Sequence, residues 1–395
     1  MQGFAFHRQG CPSPCEVMAP LREASGSADN GRVVFRRPFG GLAMRVIFVV
    51  VLVLVSHVVA AIECGSRTAT AAIPPDQIAL TIFLVGDAGL SGKNCIHRPL
   101  CNDAVLRALQ ADVTARATAI GRDNVVVVYL GDNIYPEGLD TSDRRTGARL
   151  DAQVDVVRPS GVRAFFVPGN HDWQRNGVGG QARIRAQAAR LAAVAAMPNG
   201  PRVALRPRDA CPGPEVETFG RTASLVFVDT AWWLQPIQDR PQCGGENAAL
   251  ARLRDTLSGI VTPVVVVSHH PFEKSAGKHG TSGFGKQDFA GSENIRMRSK
   301  LQKAVHDSST KPLLWAAGHD HSLELLEGGK AKFHVISGTG FVRSPSTVKC
   351  SVPGLVFGVT ANGWMVLEFP VDGGAPRLEV REVPRVTPGF SRRLN

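Results

Sequence analysis

Five short clusters of potential metal donors punctuate this chain, each closing an apolar run. They are Gly86-Asp87-Ala88-Gly89, Gly131-Asp132-Asn133-Ile134-Tyr135, Gly169-Asn170-His171-Asp172, Ser268-His269-His270-Pro271 and Gly318-His319-Asp320-His321. Asp87, Asp132 and Tyr135 offer oxygen, His269, His319 and His321 offer imidazole nitrogen, and Asn170 offers a neutral carbonyl. A lone zinc ion takes about four ligands. These candidates plus solvent therefore suit two ions sharing a carboxylate, and hydrolytic sites of that kind hold their ions about 3.5–4 Å apart. Asp132 is the natural bridge, because it follows the central-looking run Val125–Leu130, and Tyr135 lies close enough in sequence to return its ring to the same place. A free phenol has a pKa of about 10. It becomes a phenolate at neutral pH only beside a strong Lewis acid, so a tyrosinate ligand points to a trivalent ion such as Fe(III). With Fe(III) and a divalent ion, the two carboxylates, the phenolate and a hydroxide leave about one net positive charge, suited to a phosphate anion.

Two other patterns fail. Gly86–Asn94 hints at a phosphate-binding P-loop, but Asp87 stands where the first glycine is required and Asn94 replaces Ser or Thr. The common zinc-protease pattern HExxH does not occur.

The donors need a frame that gathers distant segments. The runs Thr81–Val85, Val125–Leu130, Ala164–Pro168, Val264–Val267 and Leu313–Ala317 are short and mostly β-branched or aromatic, which reads as buried strands. In α/β sheets ligands gather beyond the carboxyl ends of the strands, so the loops leaving these strands can meet at one edge. Helices are expected at Arg98–Ile120, Gln181–Ala196, Asn247–Leu257 and Ile295–Val305. Further strands are expected at Ala223–Asp229, His334–Ser337, Val356–Thr360 and Gly363–Phe369, with Arg377–Val383 as an edge strand and Phe390–Asn395 as a loose tail. Ala361-Asn362-Gly363 reads as a hairpin turn. The fold class implied is α/β (α+β), a four-layer sandwich of two mixed β-sheets flanked by helices.

Composition agrees. The chain has 395 residues, 44% hydrophobic and 20% charged, which is ordinary globular material without repeats. Met44-Arg45, the aliphatic stretch Val46–Val55 and the small residues to Ala61 read as a secretory signal peptide or an uncleaved signal anchor. Residues 1–43 are then a disordered or mis-assigned extension, 44–61 the signal, and 62–395 a single domain with its core at about 80–370. The apolar stretch is shorter than the roughly 20 residues that span a bilayer, so no stable membrane span is expected. Removing the leader lowers the formal charge from +11 to +8, because six arginines and three acidic residues leave with it. A basic surface draws anions, but no Lys/Arg-rich run interleaves with aromatics, so specific nucleic-acid binding is not expected. Beyond the leader, Cys64, Cys95, Cys101, Cys211, Cys243 and Cys350 suggest disulfides in an exported protein, with Cys95–Cys101 and Cys211–Cys243 as plausible pairs.

The order Asp, Gly-Asp, Gly-Asn-His-Asp, His, Gly-His-x-His resembles the calcineurin-like metallophosphoesterase superfamily and, within it, the small purple (tartrate-resistant) acid phosphatases. Gly89 stands where most of the superfamily has a histidine, and Tyr135 makes up the lost ligand. Gly318–His321 continuing into Ser322-Leu323, and the Ser337-Gly338-Thr339-Gly340 turn, are also similar. The likeness runs from about Ile82 to Pro345 and implies the calcineurin-like metallophosphoesterase fold. Ala88 departs from the tryptophan usual in the small acid phosphatases, which is expected to alter the site rim but not the ligand set.

Residue by residue, the resemblance implies Asp87, Asp132, Tyr135 and His321 on a ferric ion. Asp132, Asn170, His269 and His319 would hold a divalent ion: iron, zinc or manganese. His269 rather than His270 fits the family's His-x-Pro pattern. His171 is implied as proton donor to the leaving group and His279 as a substrate contact; Asp172, adjacent to His171, is expected to orient or charge it. The activity implied is that of a monomeric acid phosphatase acting on small phosphomonoesters by attack of a metal-bound hydroxide. A phosphodiesterase or nucleotidase with the same metals, and a metal-binding surface protein without turnover, stay open as alternatives.

Overall fold

The computed structural model describes residues 63–89, 104–283, 285–340, 345–384 and 389–395. The leader, the cysteines at 11, 15, 95 and 101, and the start of the first expected helix lie outside the described residues.

In chain order the strands are β1 (Glu63–Cys64), β2 (Ile78–Val85), β3 (Val125–Tyr129), β4 (Arg163–Phe166), β5 (Arg202–Leu205), β6 (Glu215–Phe219), β7 (Ala223–Phe227), β8 (Val264–Val267), β9 (Leu314–Ala317), β10 (Leu323–Glu327), β11 (Phe333–Ser337), β12 (Leu355–Val359), β13 (Gly363–Pro370), β14 (Arg377–Glu382) and β15 (Phe390–Arg393). The helices are α1 (Ala104–Ile120), α2 (Arg144–Val157), α3 (Gly180–Ala195), α4 (Thr230–Leu234), α5 (Gly245–Gly259), α6 (Lys278–Thr281) and α7 (Ser292–His306). One sheet runs β1-β12-β10-β11-β9-β8-β7-β6 and the other β15-β14-β13-β2-β3-β4-β5. Both are mixed: β2 to β5 pair in parallel, as do β7, β8, β9 and β11, while the remaining pairs are antiparallel.

The expected strands were legible because both of their faces are buried. Along β2, Ile82 and Leu84 face the opposite sheet, and Phe83 and Val85 face the outer helices; β3 divides the same way, Val126 and Val128 against Val127 and Tyr129. A strand covered on both sides reads as a continuous apolar run. The inter-sheet layer also takes Val265 and Val267 of β8 and Leu314 and Ala316 of β9, each such burial contributing about 1.5–3 kcal/mol for a Val- or Leu-sized side chain.

Three expectations are corrected. The strand at Arg377–Glu382 is not an edge strand, because β14 lies between β13 and β15. Ala361-Asn362-Gly363 is not a hairpin. β12 lies in the eight-stranded sheet and β13 in the seven-stranded one, so the turn carries the chain across the sandwich. A Cβ on Gly363 would lie 1.9 Å from the Arg381 carbonyl oxygen, which explains the glycine by close approach of β14. Phe390–Asn395 is not a loose tail either. β15 pairs antiparallel with β14, Phe390 opposite Val380, and the Phe390 ring stacks on Phe357 at 4.4 Å. Helix α2 was not expected, although Leu150, Val154 and Val157 keep helical spacing and are buried; Asp143 caps it by accepting from the Arg145 N–H at 3.0 Å.

Cys211 pairs with Cys243, and Cys64 pairs with Cys350. The second pair was not among those expected. Disulfides fit an oxidising, exported environment. No helix among the described residues is long and apolar enough to cross a membrane.

Candidate metal centre

β2, β3 and β4 are adjacent parallel strands of one sheet, and β8 and β9 are adjacent parallel strands of the other. Their carboxyl ends therefore meet at one edge of the sandwich. The meeting is tight. Gly86 N–H donates to the Ser337 carbonyl at 2.6 Å, Asp87 N–H to Gly131 at 2.9 Å and Gly318 N–H to His269 at 3.0 Å. A Cβ on Gly131, whose φ is +92°, would lie 2.5 Å from His269 Nδ1, so only glycine fits there.

The structure brings all seven candidate donors to this edge. Tyr135 Oη donates to Asp87 Oδ1 at 2.9 Å and lies 3.3 Å from His321 Nε2, which is itself 3.3 Å from Asp87 Oδ1. On the other side, Asn170 Oδ1 is 2.9 Å from His269 Nε2 and 3.1 Å from His319 Nδ1. Asp132 lies between the two groups, Oδ1 3.4 Å from His269 Nε2 and Oδ2 3.8 Å from His171 Nε2. Donor atoms of Asp87, Asp132 and His269 lie within 4.8 Å of one another.

Gly89 leaves no room for a side chain. A Cβ there would lie 2.4 Å from the Asn133 carbonyl carbon, so no imidazole fits at that position. The same backbone contact, Tyr135 N–H to Gly89 O at 3.4 Å, holds the loop that delivers the phenol. Ala88 is buried and packs in the core, not on the rim.

The residues fit a dinuclear centre. Asp87 and Asp132 are 0% and 2% exposed, and among the described residues their only cationic neighbours are histidines: His321, His269 and His171. Buried carboxylates without a lysine or arginine are costly unless a metal compensates them. Asp87, Asp132 and His319 also hold left-handed φ values of 57°, 53° and 67°, conformations that cluster at functional sites. Burial, and then the Asp132 and Asp87 carboxylates, push the Tyr135 phenol well above its usual pKa. A phenolate at this place therefore requires a cation. Burial, and then the neighbouring His270 and His279, hold His319 well below the usual histidine pKa, so it stays a neutral donor.

His171 and His279 lie at the margin of this cluster. His171 N–H donates to Asp132 Oδ1 at 2.9 Å, its ring packs 4.2 Å from Tyr135, and its Nδ1 is 2.5 Å from the Pro136 carbonyl. A carbonyl only accepts, so Nδ1 carries a proton and Nε2 is left facing Asp132 Oδ2 at 3.8 Å. The His279 ring lies 4.5 Å from that of His319. His270 has both nitrogens engaged, Nδ1 with Thr230 Oγ1 at 3.0 Å and Nε2 with Gln287 Oε1 at 2.7 Å. Its nitrogens fall within 4.8 Å of those of His269 and His319, but ligation would break one of these bonds.

Asp172 was expected to orient or charge His171; its carboxylate accepts from groups on two neighbouring loops. Oδ2 accepts from Gly169 N at 2.8 Å and from Asn133 N and Nδ2, both at 3.1 Å, and Oδ1 accepts from Ile134 N at 3.0 Å. Asp172 thus staples the loop after β4 to the loop after β3, and the Pro136 carbonyl orients His171. Asp320, between the two imidazoles of the last cluster, has a similar role: it accepts from the backbone of His279 at 3.2 Å and of Gly280 at 3.0 Å. Beside it, burial and then the Asp320 charge raise Glu324 to a pKa of about 8 while it accepts from Ala276 N–H at 2.7 Å. Spacing could flag Asp320, which is inside a motif, but not the direction in which it turns.

No protein-family model matches the sequence, and no curated protein matches it. Solved structures do match in shape. GAP50, the anchor in the inner membrane complex of Plasmodium, is 17% identical with a TM-score of 0.56, covering 81% of this chain and 89% of its own. The purple acid phosphatase PPD1 from yellow lupin (Lupinus luteus) seeds is 14% identical with a TM-score of 0.52, covering 81% of this chain and 54% of its own. PhoD is 13% identical with a TM-score of 0.51, covering 81% of this chain and 68% of its own. At these identities the likeness speaks for the fold. The architecture of two mixed sheets flanked by helices is what this chain shares with these neighbours.

Proposed function

We propose that this protein is a metal-dependent acid phosphatase that hydrolyses phosphomonoesters at a dinuclear Fe(III)–M(II) centre. Asp87, Asp132, Tyr135 and His321 would hold the ferric ion, and Asp132, Asn170, His269 and His319 the divalent one. The observation that carries this reading is the buried carboxylate pair, ringed by imidazole, amide and phenol and, among the described residues, free of lysine or arginine. When bound, two such ions neutralise phosphoryl oxygens and acidify a water nucleophile. Tyr135 would surrender the proton it now donates to Asp87. Asp132 fixes the backbone of His171, and Pro136 fixes its ring, so that Nε2, when the ring carries a second proton there, hands that proton to the departing oxygen. Export through the signal starting near Met44 and the basic surface suit a phosphate ester met outside the cell.

Metal content and the visible spectrum of protein purified without added metal, followed by a phosphoester panel, test this reading. Bound iron, visible absorption and faster turnover of a mono-aryl than a bis-aryl phosphate are expected. The opposite preference would support the phosphodiesterase alternative. Tyr135→Phe should abolish the visible band while leaving the fold intact, and a band that survives removes the tyrosinate from the site. GAP50, described as an anchor, shares the fold. Bound metal without turnover over a broad pH range would favour the alternative of a surface protein without turnover.

A further inference from the structure

We infer that Asp288 is a positioning residue that holds His279 in one orientation, with Nδ1 on the carboxylate and Nε2 turned toward the phosphoester. The inference rests on the phosphatase reading for what Nε2 meets; the geometry of the pair stands apart from it. Asp288 Oδ1 is in short hydrogen-bond contact with His279 Nδ1. A carboxylate accepts, so Nδ1 carries the proton. Nε2 has no partner among the described residues, and the side chain is 30% exposed. The ring lies over two imidazoles of the metal cluster, 4.5 Å from His319 and 5.9 Å from His321. His279 thus has one edge tied down and the other free beside the centre.

The tie is built from several sides. Asp288 Oδ2 accepts from Gly285 N–H at 2.7 Å, and Asp288 N–H returns to the Gly285 carbonyl at 3.0 Å. Phe289 N–H donates to the His279 carbonyl at 3.0 Å, so backbone and side chain fold the same two segments together. A Cβ on Gly283 would lie 2.3 Å from Asp288 Oδ2, so the turn needs glycine to let the carboxylate pass. From the other side, Asp320 accepts from His279 N–H at 3.2 Å. Asp288 is 8% exposed, and donor atoms of His279, Asp288 and His319 lie within 4.8 Å of one another. Among the described residues the buried His319 Nε2 has no hydrogen-bond partner. Partners of this kind fix ring orientation, and losing one typically costs about 10–100-fold in activity or metal affinity.

The test uses the full metal-loaded protein. In Asp288→Asn, kcat/KM for an aryl phosphomonoester should fall about 10–100-fold. Inorganic phosphate should inhibit more weakly in proportion, with metal content unchanged. Adding Asp288→Asn to His279→Ala should cost nothing further, because the carboxylate acts through the ring. Full additivity, or an Asp288→Asn protein with wild-type kcat/KM, overturns the inference. Nitrogen NMR of the unsubstituted protein reads the pair without turnover. A protonated Nδ1 on His279 is expected, and a ring protonated only at Nε2 overturns the inference even if the protein is an active phosphatase. If no phosphoester is turned over, the function proposed above fails, while the NMR result still decides the pairing.

Discussion

Asp132→Asn should leave a folded protein that has lost most of its turnover. Asparagine tolerates the left-handed backbone at this position and keeps an oxygen for the His171 N–H, so neither strain nor loop disorder confounds the result. What disappears is the charge between the two ligand groups. Metal-based charge stabilisation contributes several kcal/mol to phosphoryl transfer, and each tenfold in rate corresponds to about 1.4 kcal/mol. A loss of roughly 10²–10⁴-fold in kcat is therefore expected, with fewer ions per chain by elemental analysis. An Asp132→Asn protein with full metal content and near-normal kcat would mean that this carboxylate is not shared between two ions.

His171→Asn should separate substrates by their leaving groups. Proton donation by a placed side chain typically contributes about 10²–10⁴-fold. An alkoxide needs that proton, whereas a nitrophenolate leaves without it. The variant should thus lose about that factor on alkyl phosphates and much less on activated aryl esters. The contact that could mimic this effect is the N–H bond to Asp132, and it belongs to the backbone, so it survives the substitution. Equal losses on both classes would assign His171 to holding Asp132 instead.

What could be read from the sequence follows a physical line. β2, β3, β8 and β9 are buried on both faces, so their composition alone announces them, and the donors that follow are placed by the strand ends. β15 and α2 carry polar faces that dilute the same signal. Asn362-Gly363 misled because a turn preference is local, whereas the division of strands between two sheets depends on partners far along the chain. In the site, residue type and order named seven candidate donors, and these lie at one edge of the sandwich. Type and order did not reveal that Asp172 turns toward backbone N–H groups, or that Asp288, outside every motif, grips His279. Those assignments depend on side-chain direction, which spacing does not encode.

The Cys64–Cys350 bond spans 286 residues, and each donor from Asp87 to His321 lies inside that span. With the bond closed, the donors belong to a single covalent ring, and the denatured ensemble is confined accordingly, by about 5–6 kcal/mol in a chain-entropy treatment of a loop of 286 residues. Its far end also grips the finished architecture: Lys349 N–H donates to Ala276 at 2.7 Å and Ser346 N–H to the carbonyl of His321. Oxidation of one cysteine pair therefore turns the gathering of scattered donors from a search along an open thread into the collapse of a closed hoop.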